Sequence, residues 1–264
     1  MKNDILAKLP ASFPWRGNLH CYHSIDSTNT SAKRLASAGA PHGTMVIADM
    51  QTHGRGRMGR SFHSPEGTGI YLSLILRPNL PADQLMHLTC AAAVAVADGI
   101  ERAAGLRPNI KWTNDLVAGG KKLGGILTEL SLRHGSTVEY AVIGIGINCC
   151  QKEDAFPPEL QDIATSLHMC TDKNIVRSTV ISEIIVALEQ MSQQLGCSSD
   201  ILQRYRADCI TIGQEISLLL PNEIRHGKAL DVDENAALVV KFDDGKIESV
   251  HSGEVSIRGM YGYV

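Results

Sequence analysis

Three stretches of this chain carry residues suited to bringing two anions together. Residues 51–60 read Gln51-Thr52-His53-Gly54-Arg55-Gly56-Arg57-Met58-Gly59-Arg60, with three arginines and three glycines in the last seven positions. Nothing there can build a core. The arginines repel one another, and the glycines cost backbone entropy to order. An anion must hold such a loop, or it stays loose until one arrives. The second stretch is Lys111-Trp112-Thr113-Asn114-Asp115-Leu116. The third is Lys122 to Glu129, where Gly124 and Gly125 thin a strand that a lysine enters. Gly144-Ile145-Gly146-Ile147-Asn148 thins another. Glycine inside a strand often marks where a ligand or a second backbone comes close. Together these residues describe a sheet floor bare of side chains and rimmed by Lys, Asn and Arg. Such a floor suits a flat ligand with anionic ends.

Two phosphate motifs match the loop by letters. Gly54-x-Gly56-x-x-Gly59 fits the dinucleotide fingerprint, and Gly54 to Ser61 fits a P-loop with Arg for Lys. Both need a helix that starts at the loop and turns its N-terminus to the phosphates. Phe62-His63-Ser64-Pro65-Glu66-Gly67 follows instead and will not form one. A flexible basic loop that touches nucleic acid is a further reading. Ser27-Thr28-Asn29 stands where a helix begins. It can be a plain N-cap, from Ser27 or Asp26, or a set of short polar groups offered to a small ligand.

Strands are expected at 19–25, 44–50, 70–76, 109–113, 122–131 and 138–148, and helices at 30–38, 82–104, 174–195 and 201–207. Residues 1–18 and 151–172 show little periodicity, and the loop after residue 50 spans about eighteen residues without regular structure. Turns are expected at 118–121 and 133–136. From about Thr211 the pattern changes to short strands at 215–220, 224–233, 237–242, 246–251 and 254–258, with a hairpin turn at Asp243-Asp244-Gly245. The expected class is α+β, a catalytic domain over 1–210 and a small β-barrel over 211–264.

The 264 residues carry a formal charge of −3, so the arginine cluster is local and a general nucleic-acid binder is disfavoured. Seven cysteines without CxxC spacing read as reduced thiols. The longest uncharged run in the most apolar helix is ten residues, 88–97, too short for a membrane span. A cytoplasmic enzyme is expected.

The ordered motifs resemble those of biotin protein ligases: Ser-Thr-Asn at 27–29, Gln51 with GRGRMGR at 54–60, KWTNDL at 111–116, KLGGILTE at 122–129, GIGIN at 144–148 and GEVSIRG at 253–259. The resemblance covers nearly the whole chain. Two positions depart from the pattern. Thr113 stands where the family has Pro, which restores a backbone N–H, and Met58 breaks an arginine pair. The family's repressor branch has an N-terminal winged helix, for which residues 1–18 are too short, so a ligase without specific DNA binding is the expectation.

The resemblance further implies a central mixed sheet packed with helices, the class II synthetase-like biotin–lipoate ligase fold, plus an SH3-like barrel. The implied reaction joins biotin to ATP as biotinyl-5′-AMP, then passes biotin to a lysine of a biotin carboxyl carrier domain, as in acetyl-CoA carboxylase. By resemblance Ser27, Thr28, Asn29 and Gln51 take the biotin end, with Gly124 and Gly125 leaving room for its bicycle. Arg55, Gly56 and Arg57 close over carboxylate and phosphate, with Arg60 further out. Lys122 is the central catalytic lysine. Asn114 and Asp115 hold Mg²⁺ or the incoming lysine. Asn148 and Phe62 face adenine, and Arg258 and Glu254 reach in from the barrel. The loop is expected to be mobile until the adenylate orders it. Exposed strands would permit a homodimer by sheet extension. A lipoate ligase and a nucleic-acid-binding regulator are the rival readings.

Overall fold

A computed structural model describes residues 1–133, 137–196, 198–220 and 223–257. Arg258 and residues 134–136 of the expected turn lie outside them.

In chain order the elements are α1 (Lys2–Lys8), β1 (Leu19–Ile25), α2 (Thr28–Ser37), β2 (Thr44–Gln51), β3 (Gly69–Leu76), α3 (Leu88–Ala104), β4 (Asn109–Lys111), β5 (Asp115–Ala118), β6 (Lys121–Leu132) and β7 (Val138–Asn148). There follow α4 (Pro158–Gln161), α5 (Leu167–Cys170), α6 (Arg177–Ser192), α7 (Ser198–Asp208), β8 (Glu215–Leu219), β9 (Ile224–Val232), β10 (Leu238–Phe242), β11 (Ile247–Val250) and β12 (Glu254–Ile257). Strands β1 to β7 form a mixed seven-stranded sheet in the order β1-β2-β3-β7-β6-β5-β4, in which only β1 and β2 are parallel. Strands β8 to β12 form a second, antiparallel sheet in the order β11-β10-β9-β8-β12. That sheet is consistent with an SH3-like domain. Its apolar side, with Leu218, Val240 and Phe242, joins the main core.

The two faces of the large sheet have different fates. On β7, alternate residues Ala141, Ile143, Ile145 and Ile147 enter the main core under α3 and α6. Gly99 lets α3 approach α6 closely, since a β-carbon there would lie 2.6 Å from the Ile184 backbone. The other face carries Tyr140 and Val142 against Ala32 and Ala36 of α2. Further along this second face come Gly144, Gly146 and Asn148. Side-chain alternation therefore puts the glycines on one patch beside the N-terminus of α2.

Several expectations shift. Helix α1 was not foreseen, because seven residues with few apolar positions give little periodicity; Ile5 is nevertheless fully buried. The expected helix 82–104 is a 3₁₀ turn at Ala82–Leu85 and then α3. It ends as expected on Gly105 at φ 70°, whose N–H donates to the Glu101 carbonyl at 2.8 Å. Asp115 opens strand β5, and Gly119 and Gly120 turn the chain into β6 at left-handed φ. The stretch 151–172 is not formless: it holds α4 and α5 and lies along Lys122 through a bridge to Ala164.

Candidate active site

A cavity of about 280 Å³ opens over the glycine patch. Cross-strand register builds its floor, since Gly125 pairs with Gly146, Leu127 with Gly144, and Gly144 with Ser73. Five cations line it, Arg55, Arg57, Arg60, Lys111 and Lys122, against the carboxylates Asp115 and Glu254. Ser27, Thr28, Asn29, Gln51, Gly56, Phe62, Asn114 and Asn148 line it too. The chain thus brings together residues more than 200 positions apart in sequence.

One end is a polar network at the start of α2. Ser27 is the N-cap residue but its side chain makes no capping bond. The Gln51 carboxamide does that work from β2: its Oε1 accepts from Thr28 N at 2.8 Å and from Thr28 Oγ1 at 3.0 Å. Gln51 Nε2 donates to Ser64 Oγ at 2.9 Å, which fixes the amide's orientation. Ser73 Oγ, fully buried, lies 2.8 Å from Thr28 Oγ1 and 2.6 Å from Asn29 Oδ1. Asn29 Nδ2 donates to Glu129 Oε2 at 3.0 Å. Burial pushes the Glu129 carboxyl up, but hydrogen bonds from Lys33 and Asn29 and the charge of Arg55 outweigh it and hold it below the usual range. Ser73, Ser64 and Glu129 received no role from the sequence. Ser73 had a signal, as the one polar residue in the apolar run of β3.

The other end is cationic. Lys122 Nζ donates to Asp115 Oδ1 at 2.7 Å. Arg57 Nη1 donates to Asn114 Oδ1 at 2.8 Å, and Asn114 Nδ2 donates to the Ile126 carbonyl at 2.9 Å. Arg55 reaches Glu129 at 3.4 Å and Arg60 reaches Glu254 at 2.6 Å. All three loop arginines thus rest on acceptors from the fold, the last of them on the second sheet. The loop closes on itself through a bridge between Arg55 and Ser61 and a turn at Arg57–Gly59, in which Met58 and Gly59 take left-handed φ of 54° and 77°. It is more regular than its sequence implied.

Three expected site residues sit differently from their assignment. Gly124 does not line the cavity: a β-carbon there would lie 2.4 Å from the Gly146 carbonyl oxygen, so its role is close strand approach. The bare floor belongs to Gly125, Gly144 and Gly146, and the Phe62 ring lies over Gly146. Asp115, expected to hold Mg²⁺ or the incoming lysine, is engaged by Lys122. Among the described residues no group of three His, Cys, Asp or Glu side chains could hold an ion. Asn148 borders the cavity, but its Nδ2 is given to the Thr165 carbonyl at 3.0 Å.

Trp112 and Thr113, joined by a cis peptide, are pinned from outside. Trp112 N donates to Thr211 Oγ1 at 2.9 Å, Trp112 Nε1 donates to the Ala236 carbonyl at 3.1 Å, and Tyr205 Oη donates to the Thr113 carbonyl at 3.0 Å. Before them stands Lys111, which is buried and borders the cavity. Burial pushes its ammonium down to about 8; Asp115 and Glu254 oppose the fall, while Lys122 and Arg60 add to it. An anionic ligand favours the charged form, so binding at pH 8 should take up a proton, and affinity should fall as pH rises through that value. Calorimetry with a non-hydrolysable analogue of the adenylate that the sequence resemblance implies, in buffers of different ionisation enthalpy, measures this. An observed enthalpy independent of the buffer, or unchanged linkage in Lys111→Met, would contradict it.

A site able to bring two anions together is what this fold and cavity define. Residues 21–148 match the Biotin/lipoate A/B protein ligase family, and residues 211–258 match the Biotin protein ligase C terminal domain. The chain belongs to the biotin protein ligase family. It is 41% identical to the bifunctional ligase/repressor BirA of Bacillus subtilis (strain 168), over 89% of this chain and 73% of that protein. It is 39% identical to the biotin–[acetyl-CoA-carboxylase] ligase of Paracoccus denitrificans, over 89% of this chain and 98% of that one. A similar solved structure is the biotin protein ligase from Aquifex aeolicus in complex with biotin and ATP, at TM-score 0.76 and 30% identity, covering 91% and 98% of the two chains. Among the described residues no helix is long and apolar enough to cross a membrane.

Proposed function

We propose that this chain activates biotin with ATP and transfers it to a lysine of a biotin carboxyl carrier domain. The observation that carries the reading is one cavity in which Lys122 and three loop arginines surround a glycine floor that ends in the Thr28–Gln51–Ser73 network. The ureido group of biotin needs donors and acceptors together, and that network supplies both. A carboxylate oxygen of biotin attacks the α-phosphorus of ATP, the bond to the β-phosphate breaks, and pyrophosphate leaves. Two anions must meet, so Lys122, Arg55 and Arg57 screen them, each charge-assisted contact contributing roughly 1.5–3 kcal/mol. Holding the pair in register is the larger part, on the order of 10⁵–10⁸ M in effective molarity. The deprotonated carrier amine then attacks the biotinyl carbonyl carbon and AMP leaves. Asp115 is placed to orient that amine once phosphate draws Lys122 away. Magnesium belongs with the ATP substrate in this reading.

The reaction sits in a domain of 1–210 with a barrel of 211–264 beside it, in the cytoplasm. A second copy can pair along the outer part of β6, which runs beyond β5 and exposes Leu130 and Leu132. Sedimentation at the monomer mass would overturn that pairing. The reaction is tested by pyrophosphate release with ATP plus biotin, lipoate or neither, followed by transfer to a carrier domain. Biotin alone should support release. Equal release with lipoate, or none with either, would overturn the reading.

A further inference from the structure

Six of the seven cysteines are described, and all six are free thiols. Two of them, Cys149 and Cys150, are adjacent in sequence, and their Sγ atoms lie only 3.7 Å apart. They directly follow Asn148, which borders the cavity. Cys149 is buried and Cys150 is partly open to solvent. Arg177 lies close enough to act on both sulfurs, and its Nε is buried with no hydrogen-bond partner among the described residues. The contact with Cys149 draws the Cys150 thiol below its ordinary range; burial opposes this and Arg177 adds to it. The contact with the Cys150 sulfur, and then burial, push Cys149 up, against a smaller pull from Arg177. One sulfur is therefore prepared to attack and the other to remain a thiol.

We propose that Cys149 and Cys150 form a reversible thiol–disulfide site, oxidised by a peroxide, whose closure weakens nucleotide binding. The Cys150 thiolate attacks the peroxide O–O bond, takes one oxygen as a sulfenic acid, and releases water or an alcohol. The Cys149 sulfur then attacks the Cys150 sulfur, the S–S bond forms, and the hydroxyl leaves with the Cys149 proton as water. The thiols lose two electrons and the peroxide gains them. Adjacent residues across a trans peptide hold their Cα atoms about 3.8 Å apart, below the usual range for a disulfide, so the product is easily reduced. Closure also requires the peptide between the two residues to turn. That peptide is held on both sides, since Cys150 N donates to the Thr68 carbonyl at 2.8 Å and His168 N donates to the Cys149 carbonyl at 2.9 Å. Breaking either bond moves the end of β7, and Asn148 with it.

The disulfide does not depend on the proposed reaction, its effect on nucleotide binding rests on that reading, and the test keeps the two apart. The whole chain is treated with hydrogen peroxide. Peptide mass mapping should find the loss of two hydrogens at 149–150, reversed by dithiothreitol. Calorimetry should then find the ATP Kd raised about tenfold in the oxidised protein, a change of ~1.4 kcal/mol. Cys150→Ser should bind ATP like the reduced wild type and ignore peroxide, and Cys170→Ser should respond like the wild type. If Cys150→Ser does not fold, mapping and reversal on the wild type carry the test. No disulfide at 149–150, a disulfide that leaves Kd unchanged, or a Cys150→Ser variant equally sensitive to peroxide would each overturn the proposal. A reduced chain that binds ATP yet makes no adenylate would sink the proposed function and leave this site standing.

Discussion

Replacing Lys122 by alanine should lower kcat for biotinyl-adenylate formation by about 10²–10³-fold, or ~3–4 kcal/mol, the scale of losing one aimed donor at developing charge. The argument rests on position. Lys122 enters β6 at the cavity wall with its backbone held on both sides by residues 163–165: its N–H donates to the Ile163 carbonyl at 2.8 Å, and its carbonyl accepts from Thr165 N at 2.9 Å. Its ammonium rests on Asp115. Alanine removes the cation and leaves the Asp115 carboxylate facing two substrate anions, so the loss exceeds that of one hydrogen bond. A double variant, Lys122→Ala with Asp115→Asn, should therefore be less impaired than the two single losses added together, because residues in contact do not act independently. Single-turnover adenylate formation with saturating biotin and ATP measures both points. Wild-type rates in Lys122→Ala would remove this lysine from the mechanism, and strict additivity would show that Asp115 acts on something else.

The central strands were legible because β-branched and large apolar residues run together in β3 and β7, and such runs have few alternatives to a buried sheet. Residues 144–148 show how far that reading goes. Glycines at alternate positions say that one face is bare, but not what lies over it. Only register showed that Gly144 faces Asn29 while Gly146 faces Phe62. Gly124 and Gly125 were assigned together, yet neighbouring residues in a strand point to opposite faces and only Gly125 meets the cavity. The Gln51 contact to α2 was invisible for a similar reason. A helix N-cap is ordinarily read from its own sequence, and here the capping side chain comes from 23 residues away. Asp115 was implied as a holder of Mg²⁺ or of the incoming lysine, and nothing in its local sequence told that its carboxylate would meet Lys122, seven residues on, at 2.7 Å.

Gly144→Ala should raise the biotin KM by about 100-fold, ~2.7 kcal/mol, and change the ATP KM little. A β-carbon at Gly144 would lie 2.0 Å from Asn29 Oδ1 and 2.9 Å from its Nδ2, well inside contact distance. Asn29 cannot simply step aside. Its amide is held by Ser73 at 2.6 Å and Glu129 at 3.0 Å, and it sits in the first turn of α2. Moving it breaks both bonds and disturbs Thr28, which shares Ser73 Oγ. Gly146→Ala is the informative contrast. There the β-carbon would lie 2.8 Å from Phe62 Cε1, a ring edge carried on the arginine loop. That ring can swing, so Gly146→Ala should cost less and act on the nucleotide end. Pyrophosphate exchange, with each substrate varied at saturation of the other, separates the two. If Gly144→Ala shifts the biotin KM by less than about threefold, the Thr28–Asn29–Ser73 network does not hold biotin, and if it raises the ATP KM instead, the order of ligands along the sheet must be reversed.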